Sequence, residues 1–565
     1  MLARVLLVFI FNTVLLSSAV TTSVTATASS PKLIISILID DLGFHDLGYT
    51  GSRILTPHFD QLRGDGVKLT SFYVQPICTP SRASFLTNRL PLALGLQGKQ
   101  TVQQGCAWGL DVEEQTFVEA LASSGWETHM VGKSHLGADR WRRTPTFRGF
   151  SSFWGYYYGA EDYYTHKVGQ GYDLRNDTGL NCGPGCSQAI GSAFYGTYSP
   201  YLYGPAVIRH IANAGATNTP TYIHFTPQSV HAPNQAPETF VAPYRPIFGP
   251  TNPIRAIHAG ALACLDEAIG NITAAIAAAG LSDDTLIFVT ADNGGPLGAT
   301  GDGTMASNFP LRGGKHTLYE GGVRAEAFAW GPKWFGEPNN FNLWSGLAHV
   351  SDVGLTILDA AGVSPLPPKV GREVHGVSFW SQLVSNTPSN RSYVVANLDY
   401  TSDGPSVAEA AASDKEKAAA TGEVQNYAQA ALVAANGWKL LLGNPATPDR
   451  DYWSDENGEP STPPPPAAVV TRRPSESENL TSHRGGRGGA MWPLGNMTPS
   501  LYNVTADPRE THNVASEHPD VVAEMIQVLA EWGQSAVPVI VNKTQDPSSD
   551  PDKFWNGSWT PWLGL

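Results

Sequence analysis

The sequence predicts a doubly wound α/β domain followed by a smaller α+β domain, and three features carry that prediction. Residues 33–39 (LIISILI) and 285–291 (TLIFVTA) are continuous apolar runs rich in β-branched side chains. Such runs belong to strands buried on both faces, as in a parallel sheet covered by helices. Between them, helical stretches at 113–124 and 254–279 are interspersed with strand-like pieces at 127–131 and 221–225, the order of repeated βα units. Each long run also stops at an acidic pair, Asp40-Asp41 or Asp292-Asn293. Ligands of open α/β sheets bind beyond the carboxyl ends of the strands, so both pairs fall where a site is expected.

Composition bounds what this fold can do. The chain has 565 residues, 42% hydrophobic and 15% charged, with a net charge of −14. That length supports one large domain plus a smaller one. The acidic balance excludes nucleic acid as a partner of the bulk surface, because phosphate binding depends on clustered Lys and Arg. An anionic substrate needs a few cations gathered in a pocket. The 57 Gly and 42 Pro point to many loops rather than a helical bundle.

Along the chain, residues 1–24 carry one Arg, an apolar run broken by Asn12, and then small residues, the layout of a secretory signal peptide. No later segment reaches the ~18 consecutive apolar residues of a spanning helix, so no stable membrane span is expected. Eight sequons, at Asn176, Asn271, Asn390, Asn479, Asn496, Asn503, Asn542 and Asn556, agree with the secretory route, lysosomal or secreted. Five cysteines are too few for a disulfide scaffold. Cys182 and Cys186 flank Gly-Pro-Gly and can close a tight loop, Cys264 reads as a buried thiol, and Cys106 is free or paired. The first domain is expected over 31–385, closing after a helix at 351–362. The second, 386–565, holds an Ala-rich stretch at 403–436 read as partly helical, a low-complexity insertion at 456–490, a strand-like LYNV and a final helix at about 517–533.

Chemistry concentrates in a few places. Asp40, Asp41, Asp292 and Asn293 bring three carboxylates and an amide to two strand ends. Mutual repulsion would raise their pKa values unless a cation neutralises them, and an all-oxygen set suits a hard divalent ion. Asp and Asn after strands are also ordinary turn and cap residues. Cys78-Thr79-Pro80-Ser81-Arg82 opens a helical stretch, with Pro80 suited to the first turn. As plain chemistry, Cys78 there could be a thiolate whose pKa is lowered by the helix end and Arg82. Tyr156–Tyr158 with Tyr163 and Tyr164 read as packing, or as flat rings facing a sugar. His129, His224, His258 and His316 have no motif around them and stay unassigned.

The five residues from Cys78 to Arg82 match C-x-P-S-R, and through them the chain resembles the formylglycine-dependent sulfatases. MVGKSHLG (130–137), TPQSVHAPNQAP (226–237), TADNGG (290–295) and PLRGGKHTLYEGGVR (310–324) are similar to further sulfatase motifs. YYYGAEDYYTH (156–166) looks like a stretch of arylsulfatase B-like enzymes, the N-acetylgalactosamine-4-sulfatases, and the likeness continues through GWKLLLGNP (437–445) and LYNVTADPRETHNV (501–514). The resemblance implies an alkaline phosphatase-like mixed sheet, with 31–385 as the catalytic domain, and hydrolysis of a sulfated carbohydrate or aryl sulfate. It implies that a formylglycine-generating enzyme converts Cys78 to formylglycine, whose hydrate attacks sulfur. Asp40, Asp41, Asp292, Asn293 and residue 78 would hold one Ca²⁺. Arg82 and Lys133 would stabilise the diol, His135 would orient it and assist sulfate elimination, and His231 and Lys315 would contact the sulfate, one of them protonating the leaving oxygen.

Two departures stand out. Ser134 replaces a Trp that the family often carries, which alters the pocket wall beside Lys133 and His135, and no cysteine follows Cys264. Two other functions compete: a related phosphoester hydrolase, for which Ser or Thr at position 78 and extra metal ligands are expected, and a non-catalytic sulfated-glycan binder, which would have lost Cys78 or a carboxylate.

Overall fold

A computed structural model describes residues 30–98, 100–249, 252–299, 301–336, 341–400, 427–447, 450–461 and 499–565. The expected signal peptide, 403–426 of the Ala-rich stretch and 462–490 of the insertion lie outside these residues. The large sheet has ten strands: β1 (Leu33–Ile39), β2 (Val67–Tyr73), β3 (Glu127–Lys133), β4 (Ser152–Tyr156), β5 (Leu174–Thr178), β6 (Ser187–Ala189), β7 (Thr221–Thr226), β8 (Thr285–Ala291), β9 (Ala327–Trp330) and β10 (Leu343–His349). Their order across the sheet is β10-β2-β9-β8-β1-β7-β3-β4-β5-β6. The central five, β8-β1-β7-β3-β4, are parallel. Antiparallel strands flank them on each side, β9 against β8 and β5 against β4.

Every residue of β1 and β8 is buried, which explains why both read as unbroken apolar runs. Their register runs from Leu33↔Thr285 to Ile39↔Ala291. Asp40 and Asp292 therefore leave the sheet side by side, with the Asp292 N–H donating to Ile39 O at 3.2 Å.

Helices flank the sheet in two groups. α1 (Pro57–Gly64) and α4 (Pro200–Thr217) pack on α5 (Pro253–Ala278), while α2 (Cys78–Thr87) and α3 (Phe117–Ser123) pack on α6 (Val353–Ala361). The Thr116 hydroxyl accepts from Glu119 N and Glu119 caps Thr116 N in return, so α3 begins at 117 and the preceding expected helical residues are loop. Among the described residues, α5 alone is long and apolar enough to cross a membrane. Here its buried stripe also holds Arg255, His258 and Asp266, each bonded within the protein, as in the core helix of a folded domain.

A second sheet, β11 (Tyr393–Tyr400), β12 (Tyr427–Ala434), β13 (Trp438–Gly443) and β14 (Ser500–Asn503), is antiparallel in that order. Of the Ala-rich stretch expected to be helical in part, the described end forms the strand β12. Alanine favours helix locally, but this segment pairs with strands on both sides and buries Ala430, Leu432 and Ala434 on one face and Ala431 and Val433 on the other. α7 (Pro519–Gly533) covers the first face through Met525, Ile526 and Leu529. The second face meets Leu318, Tyr319 and Val323 of the large domain.

Cys182 and Cys186 are disulfide-bonded, and Cys78, Cys106 and Cys264 are buried free thiols. Tyr156, Tyr157, Tyr158 and Tyr163 are buried packing residues. His224 and His258 are also structural. His224 Nδ1 lies 2.7 Å from Ser36 Oγ, and His258 Nε2 lies 3.0 Å from Asp46. Asp46 additionally accepts from Arg255 Nη1 at 2.6 Å and from the amides of Gly43 and Ser307.

That buried knot ties the loop after β1 to α5. Burial opposes ionisation of Asp46, but Arg255 and His258 outweigh it and hold the carboxyl well below its usual range. Its contribution is present above the ordinary carboxylate pKa and is lost as pH falls through the depressed folded value. Asp46→Asn should cost about 3–5 kcal/mol by leaving Arg255 unpaired and should flatten the acid limb of a stability–pH profile. An unchanged urea midpoint and an unchanged acid limb would rule out this anchoring role.

Candidate active site

Four segments meet at the carboxyl ends of the central strands: Asp40-Asp41 after β1, Asp292-Asn293 after β8, Lys133–His135 at the end of β3, and the 228–231 loop after β7. α2 brings the fifth element, with Cys78 as its first residue and Ile77 as an extended N-cap. Asp41 and His135 have φ of 61° and 60°, a left-handed conformation that non-glycine residues adopt at a cost of about 1–3 kcal/mol. The surrounding packing holds both.

Asp40, Asp41, Cys78 and His231 each place one potential ligand atom within 4.8 Å of the others. Asp292 adjoins this group: its Oδ1 accepts from Asp41 N at 3.3 Å, and its Oδ2 from Arg82 Nε at 2.9 Å. Asn293 Nδ2 donates to Asp41 Oδ1 at 2.7 Å. The sequence-derived residues are thus gathered in one buried place.

Three cations meet the three carboxylates. Lys133 Nζ donates to Asp40 Oδ2 at 2.7 Å, Arg82 pairs with Asp292, and Lys315 Nζ donates to Asp41 Oδ2 at 2.8 Å. All six side chains are at most 3% exposed. Repulsion among the carboxylates is therefore relieved largely by protein charges. The cover is uneven. Burial opposes ionisation of Asp292, but Arg82, Lys133 and Lys315 hold it down to about 2. Asp41 is held low by Lys315 and His231 against its burial. Asp40 is pushed up to about 7, because burial exceeds what Lys133 and Arg82 return.

A hard cation fits what remains. Asp40 keeps a raised carboxyl pKa even with Lys133 at 2.7 Å and Arg82 at 3.4 Å, and Asn293 Oδ1 is buried with no hydrogen-bond partner among the described residues. Buried polar atoms are nearly always paired, and carboxylate and amide oxygens are the donor set of a hard divalent ion.

The environment of Cys78 overturns the helix-lowered thiolate. Burial, followed by the Asp292 carboxylate, pushes this thiol well up despite Lys133 and Lys315 nearby. Its Sγ lies 3.7 Å from Asp40 Oδ1. Desolvation and neighbouring carboxylates oppose the pull of the helix end.

Hydrogen bonds fix the tautomers of both histidines. His231 Nδ1 is 2.6 Å from Ala232 O, so Nδ1 carries the proton and Nε2, 3.2 Å from Lys315 Nζ, accepts from the ammonium. His135 Nε2 is 3.1 Å from Val102 O, which leaves Nδ1 as a buried lone pair without a partner. Burial, then Lys315, lowers His231 to about 3. Burial, then Lys133, lowers His135 strongly.

Some neighbours were not legible. Asp302 Oδ2 lies 3.4 Å from Lys315 Nζ and 2.9 Å from His316 Nε2, and its Oδ1 lies 3.1 Å from Arg450. Asp302 sits in a glycine-rich loop with no periodicity, and only its spacing from Lys315 could have drawn notice. His316, unassigned from sequence, is thereby placed beside the site.

The Sulfatase family model matches residues 32–363. Arylsulfatase J of Mus musculus is 34% identical over 550 residues, covering 95% of this chain and 81% of that protein. Arylsulfatase A of Homo sapiens is 33% identical over 353 residues, 60% of this chain and 65% of that protein. Among solved structures, Ps i-CgsB in complex with k-i-k-neocarrahexaose aligns with a TM-score of 0.66 at 21% identity, over 92% of this chain and 96% of that one. That likeness shows the fold, an alkaline phosphatase-like doubly wound mixed sheet with a smaller C-terminal sheet. The chain belongs to the sulfatase family of sulfuric ester hydrolases.

Proposed function

We propose that this sulfatase releases inorganic sulfate from a sulfated carbohydrate or aryl sulfate by means of a formylglycine made from Cys78 and one bound Ca²⁺. The observation that carries the reading is the convergence of Cys78, Asp40 and Asp41 within ligand distance, ringed by Arg82, Lys133, Lys315, His135 and His231. Asp40, Asp41, Asp292, Asn293 and residue 78 would hold the ion, which supplies Lewis-acid stabilisation of charge on the sulfuryl oxygens. A formylglycine hydrate supplies a hydroxyl nucleophile in place of the thiol.

The chain's own groups perform the remaining work. Lys133 and Arg82 line the site of residue 78 and act as fixed positive charges beside the diol. Lys315 and His231 contact the sulfate. Because His231 Nε2 accepts from Lys315, the mobile proton of this pair resides on Lys315, and we assign it as the donor to the leaving oxygen. His231 holds that ammonium in place. The unpartnered Nδ1 of His135 accepts a proton from the residue 78 hydroxyl as sulfate departs.

A relative named N-acetylgalactosamine-6-sulfatase, from Mus musculus, is 28% identical over 367 residues. It supports a sulfated amino sugar as substrate, and the arylsulfatase B-like stretch at 156–166 favours N-acetylgalactosamine 4-sulfate units. The leader and sequons support maturation in the secretory pathway, where a formylglycine-generating enzyme acts, and a lysosomal or secreted destination.

Three outcomes are expected. The peptide containing residue 78, from protein made in eukaryotic cells, should show the mass change of losing hydrogen sulfide and gaining oxygen, and Cys78→Ala should lower sulfate release at least ~10³-fold. A fully active protein with an alkylatable thiol at position 78 would overturn the mechanism. Calorimetry of Asp292→Asn should show Ca²⁺ affinity falling by more than the ~10–100-fold typical of losing a ligand's hydrogen-bond partner; wild-type affinity would remove Asp292 from the ligand set. Lys315→Ala should slow esters with poor leaving groups ~10²–10⁴-fold and nitrophenyl sulfate much less. Equal losses on both would mean that Lys315 binds sulfate without protonating the leaving group.

A further inference from the structure

Two segments that carry the family resemblance take no part in the chemistry above: E-G-G-V-R at 320–324 and G-W-K at 437–439, which leads into β13. They meet in the interior. Lys439 Nζ lies 2.9 Å from Glu320 Oε1 and 2.9 Å from Glu510 Oε1, and the Lys439 and Glu320 side chains are fully buried. Glu510 Oε2 accepts from Glu320 N at 2.6 Å. Tyr73 OH and Arg324 complete the coordination of Glu320. Strand alternation explains why a lysine points inward: Lys439 shares the face of Leu441, which packs on Leu318, Tyr319 and Val323.

The turn that Glu320 opens leans directly on the site. Gly294 N donates to Gly322 O at 3.0 Å, and a Cβ on Gly294 would sit 1.7 Å from Gly321 O. Gly294 follows the proposed ligand Asn293. Five residues before Glu320, Lys315 is fastened by its own N–H to Gly295 O at 3.2 Å. Leu318 N is bonded to Pro445 O of the smaller domain.

We propose that Lys439, reaching from the second sheet, is a positioning residue of the sulfatase site. Through Glu320 it presses the 320–323 turn against Gly294, and so sets where Asn293 and Lys315 stand. The inference rests on the reading of Asn293 as a calcium ligand and Lys315 as a sulfate contact. Burial pushes Glu510 up to about 7 even with Lys439 beside it, so removing the ammonium alone would strand two carboxylates. A balanced change avoids this. Lys439→Met combined with Glu510→Gln removes one charge of each sign, keeps an acceptor for Glu320 N, and leaves Glu320 with Arg324 and Tyr73.

The double variant should unfold within a few degrees of the wild type. Hydrogen–deuterium exchange should rise ~10-fold in peptides covering 290–296 and 315–322. Ca²⁺ affinity by calorimetry should fall ~10-fold or more, and kcat on nitrophenyl sulfate should fall ~10–100-fold with KM changed far less. Asp352→Asn, which breaks the buried Arg391–Asp352 pair outside this chain of contacts, should lower the midpoint and leave exchange at 290–296 unchanged. If the double variant does not fold, Glu320→Gln carries the same expectation. Wild-type exchange and wild-type calcium affinity in a folded variant would overturn the inference. A wild-type protein that neither binds calcium nor cleaves sulfate esters would instead sink the functional reading, and the exchange measurement would still decide whether Lys439 governs the 290–296 segment.

Discussion

The site depends on one register. Because Ile39 pairs with Ala291 in a parallel ladder, the next residues of both strands are carboxylates forced together in a space sealed from water. Two bare carboxylates there would be expensive, so the surrounding segments must supply positive charge. Lys133 does so from the end of β3, Arg82 from α2, and Lys315 from the loop after β8. A slip of one residue in that ladder would send every side chain of β1 to the opposite face and part Asp40 from Asp292.

Much of this was legible in the sequence. Fully buried strands announce themselves as apolar runs, and each expected site residue lies in the one cluster. The charge balance was less legible. From sequence alone the carboxylates demand an external cation; in the fold, three protein cations already neutralise most of their charge, and what points to an ion is the Asn293 oxygen left unpaired among the described residues. The surroundings of the Cys78 thiol are illegible for a related reason. A helix N-terminus is visible in sequence, whereas the carboxylates that oppose its effect, Asp40 and Asp292, arrive from the ends of β1 and β8. In β12 the local helix preference of alanine yields to two ladders and a two-sided core.

Hydrogen bonds to main-chain carbonyls decide what the two site histidines can do, and no motif records them. Ala232 O fixes a proton on Nδ1 of His231, and Val102 O fixes one on Nε2 of His135. Each ring therefore offers its other nitrogen as an acceptor. Two acceptors and a fully buried ammonium between strand ends suit a reaction in which one oxygen loses a proton while another gains one.

The same logic gives the smaller domain a role beyond enclosure. Its sheet is covered on one face by α7 and on the other by the segment that follows Lys315. An apolar contact alone would tolerate sliding. Lys439 between two glutamates does not, because a buried ammonium displaced from either carboxylate leaves a charge without a partner. Backbone contact at Gly294 then carries that rigidity into the site, since no side chain intervenes to absorb a shift. Directional charge at the sheet interface and main-chain contact at the turn together make the position of Asn293 a property of both domains.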